Sequence, residues 1–319
     1  MTAGPDLVDV SVVVPVYNGA RSLHELIERT LAALSGRSIE IILVNDASPD
    51  ESWQVMSELS KQHPQVRSFD LLSNHGQPMA TMCGLVQARG EIVVTMDDDL
   101  EHPPEEIFTL IGSLKDNPDW DGVVGSWPHD RSIVRNVGSW MYGTIDRIAW
   151  NTPKGFRHSG FRAIRRPAVD AIVNSQTRNP LIGPMLVQLA ANVHNVDVRH
   201  AQRAHGASGF KISDGIRMAR NHLRYGSTLP LQILSRFGSS VALLSLAFGI
   251  FLVLRSLFSQ SGPQGWLSTF VAVIFFGGSI LFGIGTLGQY ISMIIAEVRR
   301  PPRFSVRRVM PEDTSVRNS

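Results

Sequence analysis

"EIVVTMDDDLEHPP", residues 91–104, joins two halves of opposite character. Ile92, Val93, Val94 and Met96 form a short apolar, largely β-branched run, the signature of a strand buried on both faces. Asp97, Asp98, Asp99 and Glu101 follow almost at once. Like charges a few ångströms apart raise one another's pKa unless something positive intervenes. If the chain stays extended, side chains alternate, so Asp97 and Asp99 are expected on one side and Asp98 on the other. Two same-facing carboxylates suit a hard divalent cation, Mg2+ or Mn2+, and Glu101 offers a third oxygen. Pro103-Pro104-Glu105-Glu106 reads as a helix start, so a solvated acidic turn ahead of a helix is the competing reading.

Upstream, strand and helix signals alternate. Apolar strands are expected at 10–16, 40–45 and 66–72. Ser22-Leu-His-Glu25 reads as a capping box opening a helix to about Leu34, and Ser48-Pro-Asp-Glu51 as a second, opening a helix to about His63. Pro78 stands near the start of a helix reaching Ala88. A further strand is expected at 121–125. Repeated strand–helix units imply an α/β fold with a mostly parallel sheet covered on both faces, and ligands bind at the carboxyl ends of such strands. Three of those ends are polar: Pro15-Val-Tyr17-Asn18, Asn45-Asp46-Ala-Ser48, and the acid cluster. An aromatic, an amide and carboxylates on neighbouring loops suit a nucleobase, with a diphosphate beside them.

Charge is unevenly distributed. Net charge is +2 over 319 residues, but from His200 onward 13 Lys and Arg face 4 Asp and Glu. That part therefore carries +9 and the first 199 residues −7, the pattern of a metal-using head and a tail that meets phosphate or membrane. Cys83 is the single cysteine, which rules out an internal disulfide and fits a small core residue. Asp6 and Asp9 stand where a signal peptide needs a basic start and an apolar run, so no leader is expected. No charge interrupts Phe237 to Leu254 or Trp266 to Ala296. These segments are expected to form two transmembrane helices, at about 237–257 and 266–296 within a 236–298 hairpin. Arg220, Arg224 and Arg236 on one flank and Arg299, Arg300, Arg303, Arg307 and Arg308 on the other place both flanks in the cytoplasm. Ahead of the hairpin, at 211–235, Ile212, Ile216, Ala219 and Leu223 share one helical face and Arg217, Arg220 and Arg224 another, as in an amphipathic interfacial helix. A catalytic head at 1–210 and a basic cytoplasmic tail at 299–319 complete the expected organisation. Gly283-Ile-Gly285-Thr-Leu-Gly288 spells GxGxxG but lies inside the second apolar segment, where small residues serve helix packing better than dinucleotide binding.

In this order, "SVVVPVYN", "EIILVNDASPDES", "MDDDLEHPPEEI", "FRAIRRPAVDAI" and "GIGTLGQYISMIIAEVRRPPRF" resemble family 2 glycosyltransferases of the polyprenyl-phosphate group, relatives of dolichyl-phosphate mannose synthase and of the undecaprenyl-phosphate 4-deoxy-4-formamido-L-arabinose transferases. The resemblance runs from about Val10 to Val309 and lacks the QxxRW motif of processive enzymes. It implies a GT-A nucleotide-sugar-binding fold. The implied activity is inverting, metal-dependent transfer from a nucleotide sugar, expected to be UDP-linked, to undecaprenyl phosphate at the inner membrane. The implied partners are Mn2+ or Mg2+, a membrane and a second copy of the chain, with no nucleic acid. By resemblance, Pro15, Tyr17, Asn18, Asp46, Gln77, Asp97 and Asp98 serve the nucleotide sugar, and Asp97, Asp99 and Glu101 the metal. Arg131, Arg135, Ser139, Arg162 and Lys211 serve the acceptor phosphate, with Asp97, Asp99 and Arg135 as the catalytic group. Departures from the family pattern fall at Gly19, usually glutamate, Asn45, usually aspartate, Trp127, usually arginine, and the displaced Lys211. His158-Ser159-Gly160 also lacks an acid common before the FR motif. A catalytically weak membrane-anchored scaffold and a transferase with a non-lipid acceptor fit the same motifs.

Overall fold

The computed structural model describes residues 8–127, 152–153, 155–175, 177, 180–190, 192–199, 240, 265, 269, scattered positions between 272 and 294, and 304–311. The chain divides into two compact units, one of residues 1–215 with 301–319 and one of 216–300.

The first unit is built on an eight-stranded sheet. Its strands are β1 (Val10–Val16), β2 (Ile39–Asn45), β3 (Val66–Leu71), β4 (Ile92–Thr95), β5 (Gly122–Ser126), β6 (Arg162–Arg165), β7 (Val193–Asp197) and β8 (Val306–Met310). They lie in the order β7-β5-β6-β4-β1-β2-β3-β8. β1 pairs parallel with both β2 and β4, β2 with β3, and β5 with β7. β6 is antiparallel to β4 and β5, and β8 is antiparallel to β3.

Alternation along the strands feeds two cores. Val12, Val14, Ile41, Leu43 and Val94 face one side, where they meet helix α1 (Leu23–Ala33), α2 (Ser52–Gln62) and α4 (Ile107–Asp116). Val13, Ile42, Val44, Phe69 and Val93 face the other, against α3 (Gln77–Gln87), α5 (Arg166–Asn174) and α6 (Ile182–Leu189). A strand buried on both faces needs apolar residues at consecutive positions, which is why β1 reads as a hydrophobic run broken only by Ser11. Strand order reverses at β1, with β2 on one side and β4 on the other, and an open α/β sheet forms a ligand crevice at such a switch point.

Neither expected capping box forms. Ser22 is itself helical in backbone, and its hydroxyl donates to the Gly19 carbonyl at 3.0 Å, closing a tight turn after β1. The second helix starts at Ser52. There Asp50 accepts the Ser52 N–H at 3.1 Å and hydroxyl at 2.6 Å, while the Ser48 oxygen accepts the Asn18 N–H. In both places a loop contact outcompetes the local cap.

Part of the stretch expected as a basic tail, 304–311, is described. Its Val306–Met310 stretch is the eighth strand, pairing Ser68 with Met310 and Asp70 with Arg308. Residues 211–235 and most of the expected hairpin lie outside the described residues. In the second unit the described positions from 272 to 294 are helical, and Val273, Ile280, Ile284, Leu287, Ile291 and Ile294 are all exposed. Among the described residues no helix is long and apolar enough to cross a membrane.

Candidate active site

β4 ends at Thr95, and the chain then turns, with Leu100 at φ +62°. The extended alternation expected for the acids therefore stops before it can separate them. Asp97, Asp98 and Asp99 all line one cleft of about 440 Å³, together with Pro15, Tyr17, Asp46, Asn74 and Gln77. The cleft sits at the carboxyl ends of β1, β2 and β4, where the strand order reverses.

Asp98 crosses to the loop after β1 and accepts the Tyr17 N–H at 3.2 Å. A Cβ on Gly19 would lie 2.3 Å from Asp98 Oδ2, so no side chain fits at residue 19 unless that carboxylate moves. The two residues are coupled: the bare position 19 makes room for Asp98. Burial pushes the Asp98 carboxyl up to about 7, the charges of Asp97 and Asp99 push in the same direction, and the Tyr17 N–H opposes them. The sequence offered no signal for this contact, because its partners are 81 positions apart.

Asp46 is buried, and both of its oxygens are engaged. One accepts the His75 N–H at 2.8 Å, the other the Gly76 N–H at 2.7 Å. Gly76 at φ +86° lets the loop turn its amides inward just ahead of α3. Asp46 thus reaches the cleft wall while holding the loop of Asn74, whose amide donates to the Asp46 carbonyl at 3.0 Å. Gln77, the first residue of α3, donates its amide to Asp97 at 2.6 Å. Tyr17 is 52% exposed and lines the cleft, which leaves its ring accessible to a flat ligand. Asn18, at φ +56°, does not line the cleft and is held by Ser48 at 3.1 Å.

Glu101 does not line the cleft either. Its N–H donates to Asp99 at 3.1 Å. Among the described residues no three of His, Cys, Asp and Glu converge as a metal-ligand set. The donors nevertheless suit a hard cation, because Asp97 and Asp99 supply oxygens on one wall and their charges help raise the Asp98 pKa. A Mg2+-type ion shared with a diphosphate needs only one or two protein carboxylates.

Arg162 lies on β6 opposite Thr95 of β4. Its Nε is sealed from solvent and has no hydrogen-bond partner among the described residues. Burial lowers its pKa to about 10, and the charge of Asp97 opposes that shift. Sequence reasoning passed over His102. The ring is buried, stacked 5.2 Å from Phe161 and edge-on to Trp127, with Nδ1 4.0 Å from Asp97. Its position directly after the acid cluster was the available signal. Arg131, Arg135, Ser139 and Lys211 lie outside the described residues.

The sequence profile of glycosyl transferase family 2 matches residues 11–173, a span that contains every wall of the cleft. The chain belongs to glycosyl transferase family 2. It is a glycosyltransferase. Relatives similar along nearly the whole chain bear the name undecaprenyl-phosphate 4-deoxy-4-formamido-L-arabinose transferase. One from Klebsiella pneumoniae is 35% identical over 99% of this chain and 98% of its own length. One from Yersinia pestis is 33% identical over 100% of this chain and 98% of its own length. The described architecture is that of the GT-A fold. Glucosyl-3-phosphoglycerate synthase from Mycobacterium tuberculosis, solved with Mn2+, UDP-glucose and phosphoglyceric acid, is similar in fold. Its TM-score is 0.51 at 18% identity, over 68% of this chain and 78% of that one.

Proposed function

We propose that this family 2 glycosyltransferase moves a sugar from a UDP-linked donor to undecaprenyl phosphate at the cytoplasmic face of a membrane, with inversion and with Mn2+ or Mg2+. The observation that carries the donor half is the convergence of Asp97, Asp98 and Asp99 with Tyr17 and Asp46 in one cleft. Tyr17 offers a face for a base to stack on. Asp97 and Asp99 would hold the cation, which when bound neutralises charge on the leaving diphosphate. Asp98 and Gln77 fix the walls on either side, the first through the Tyr17 backbone and the second through Asp97.

The acceptor half rests on the similarity to relatives named for undecaprenyl phosphate. A phosphate monoester is already largely ionised at neutral pH, so it needs positioning and charge balance rather than a strong base. Its oxygen attacks the anomeric carbon as the bond to the β-phosphate oxygen breaks. The electron pair leaves with the nucleoside diphosphate, and a single displacement inverts the centre. Arg162, whose sealed Nε has no partner among the described residues and whose charge feels Asp97, is the described residue best suited to an incoming anion. Arg131, Arg135, Ser139 and Lys211 are proposed to share that task.

The membrane half is favoured by exposed Val273, Ile280, Ile284, Leu287, Ile291 and Ile294, which water penalises and lipid does not. β7 and β8 belong to one sheet, so any membrane passage between them must cross an even number of times. That constraint agrees with a hairpin whose flanks share one side. The test is transfer in sealed vesicles holding the full chain and undecaprenyl phosphate, with nucleotide sugars added outside. Mass spectrometry is expected to find a sugar-phosphate lipid in inverted vesicles and not in right-side-out ones. Failure with every donor in detergent as well as in vesicles would refute lipid transfer, and product only in right-side-out vesicles would refute the orientation.

A further inference from the structure

Asn45, Asp70 and Arg308 form a row across β2, β3 and β8, each the register partner of the next. Asp70 is almost fully buried. A buried carboxylate is costly unless it is both paired and hydrogen-bonded. Arg308 supplies the pair, donating from Nε at 2.8 Å and from Nη2 to the same Asp70 oxygen, Oδ2. Asn45 supplies the other bond, from Nδ2 to Asp70 Oδ1 at 2.7 Å. An ionised carboxylate only accepts, so Asn45 must turn its amide nitrogen toward Asp70. Its oxygen is thereby left to accept the Ser48 N–H at 3.2 Å, and the Ser48 hydroxyl oxygen accepts the Asn18 N–H at 3.1 Å. Asn18 adjoins Tyr17, whose side chain lines the cleft. The Arg308 guanidinium lies 4.8 Å over the ring of Trp53 on α2, which restrains it further.

We propose that Arg308 is a positioning residue for the nucleotide-sugar site, acting through Asp70, Asn45 and Ser48 on the loop that carries Tyr17. The inference rests on the reading of the cleft as a nucleotide-sugar site. It gives Asn45 a physical reason, since an aspartate there would set a second carboxylate against Asp70. It also gives the C-terminal strand a role in donor binding, because the loop after β1 is braced by a residue 238 positions beyond Asp70. Without the guanidinium, Asp70 stays buried without its counter-charge, and the carboxylate that orients the Asn45 amide is no longer held in place.

The experiment varies the nucleotide sugar in steady-state assays of the full chain carrying Arg308→Gln, Arg308→Lys or Ser48→Ala. Arg37→Gln, at a cation that sits over Phe108, is the control. Arg308→Gln is expected to raise the donor KM about tenfold, the scale of coupling through a contiguous network, with kcat little changed. Arg308→Lys should recover part of that loss and Arg37→Gln none, having none to recover. Adding Arg308→Gln to Ser48→Ala should raise KM no further than Ser48→Ala alone, because the relay is already cut. A wild-type KM in Arg308→Gln, or multiplicative effects in the double variant, would overturn the proposal. If the wild type turns over no donor, the functional reading fails and the same variants are scored by calorimetry with UDP and Mn2+. Equal UDP affinity in wild type and Arg308→Gln, or no UDP binding by the wild type, then overturns the proposal too.

Discussion

Asp99→Asn is expected to lower turnover roughly 10²- to 10³-fold, the scale of losing one preorganised charge-stabilising group at a reacting centre. The substitution keeps the shape and the oxygen that accepts the Glu101 N–H at 3.1 Å, so the turn after β4 should survive. What it removes is the charge that a hard cation needs. The loss should be in kcat, and circular dichroism and melting temperature should stay near those of the wild type. Unchanged turnover would remove Asp99 from the metal site and leave Asp97 as its candidate ligand.

Arg162→Met is expected to separate activity from stability. Its Nε is buried without a partner among the described residues, and burial already lowers its pKa to about 10. Replacing a poorly compensated buried charge with an apolar side chain of similar length tends to be neutral or stabilising. The melting temperature should therefore hold or rise. Transfer should fall roughly 10²-fold, because the donor aimed at the anion is gone. Thermal melts and steady-state rates on one preparation decide the matter. Wild-type rates would take Arg162 out of the anion site, and a large drop in melting temperature would make it structural.

Much of the fold could be read from apolar runs alone. β1 and β2 are buried on both faces, so their sequences are largely Val, Ile and Leu and leave little ambiguity of type. The acid cluster was visible for the complementary reason, since so many carboxylates beside a buried strand demand a partner. β8 was not visible. Its Arg307 and Arg308 read as a basic tail, and only the tertiary partner Asp70, far away in sequence, turns Arg308 into part of a strand. The capping boxes failed for a similar reason. Ser22 and Ser48 have the right spacing, but the Gly19 carbonyl claims the first side chain within the same turn and the Asn18 N–H claims the second from a neighbouring loop. Asp98 illustrates the same limit within the site. Alternation places it away from Asp97 and Asp99, whereas all three line the same cleft after the chain leaves the strand.

The carboxylates at the mouth of β4 are there, on this account, to share a cation with a nucleoside diphosphate in the cleft of Tyr17 and Asp46. Calorimetric titration of the full chain with UDP, in Mn2+ and again in EDTA, addresses that claim most directly. Saturable binding in Mn2+, its loss in EDTA and its return on adding Mn2+ or Mg2+ is the expected result. Equal affinity for UDP with and without a divalent cation would contradict it.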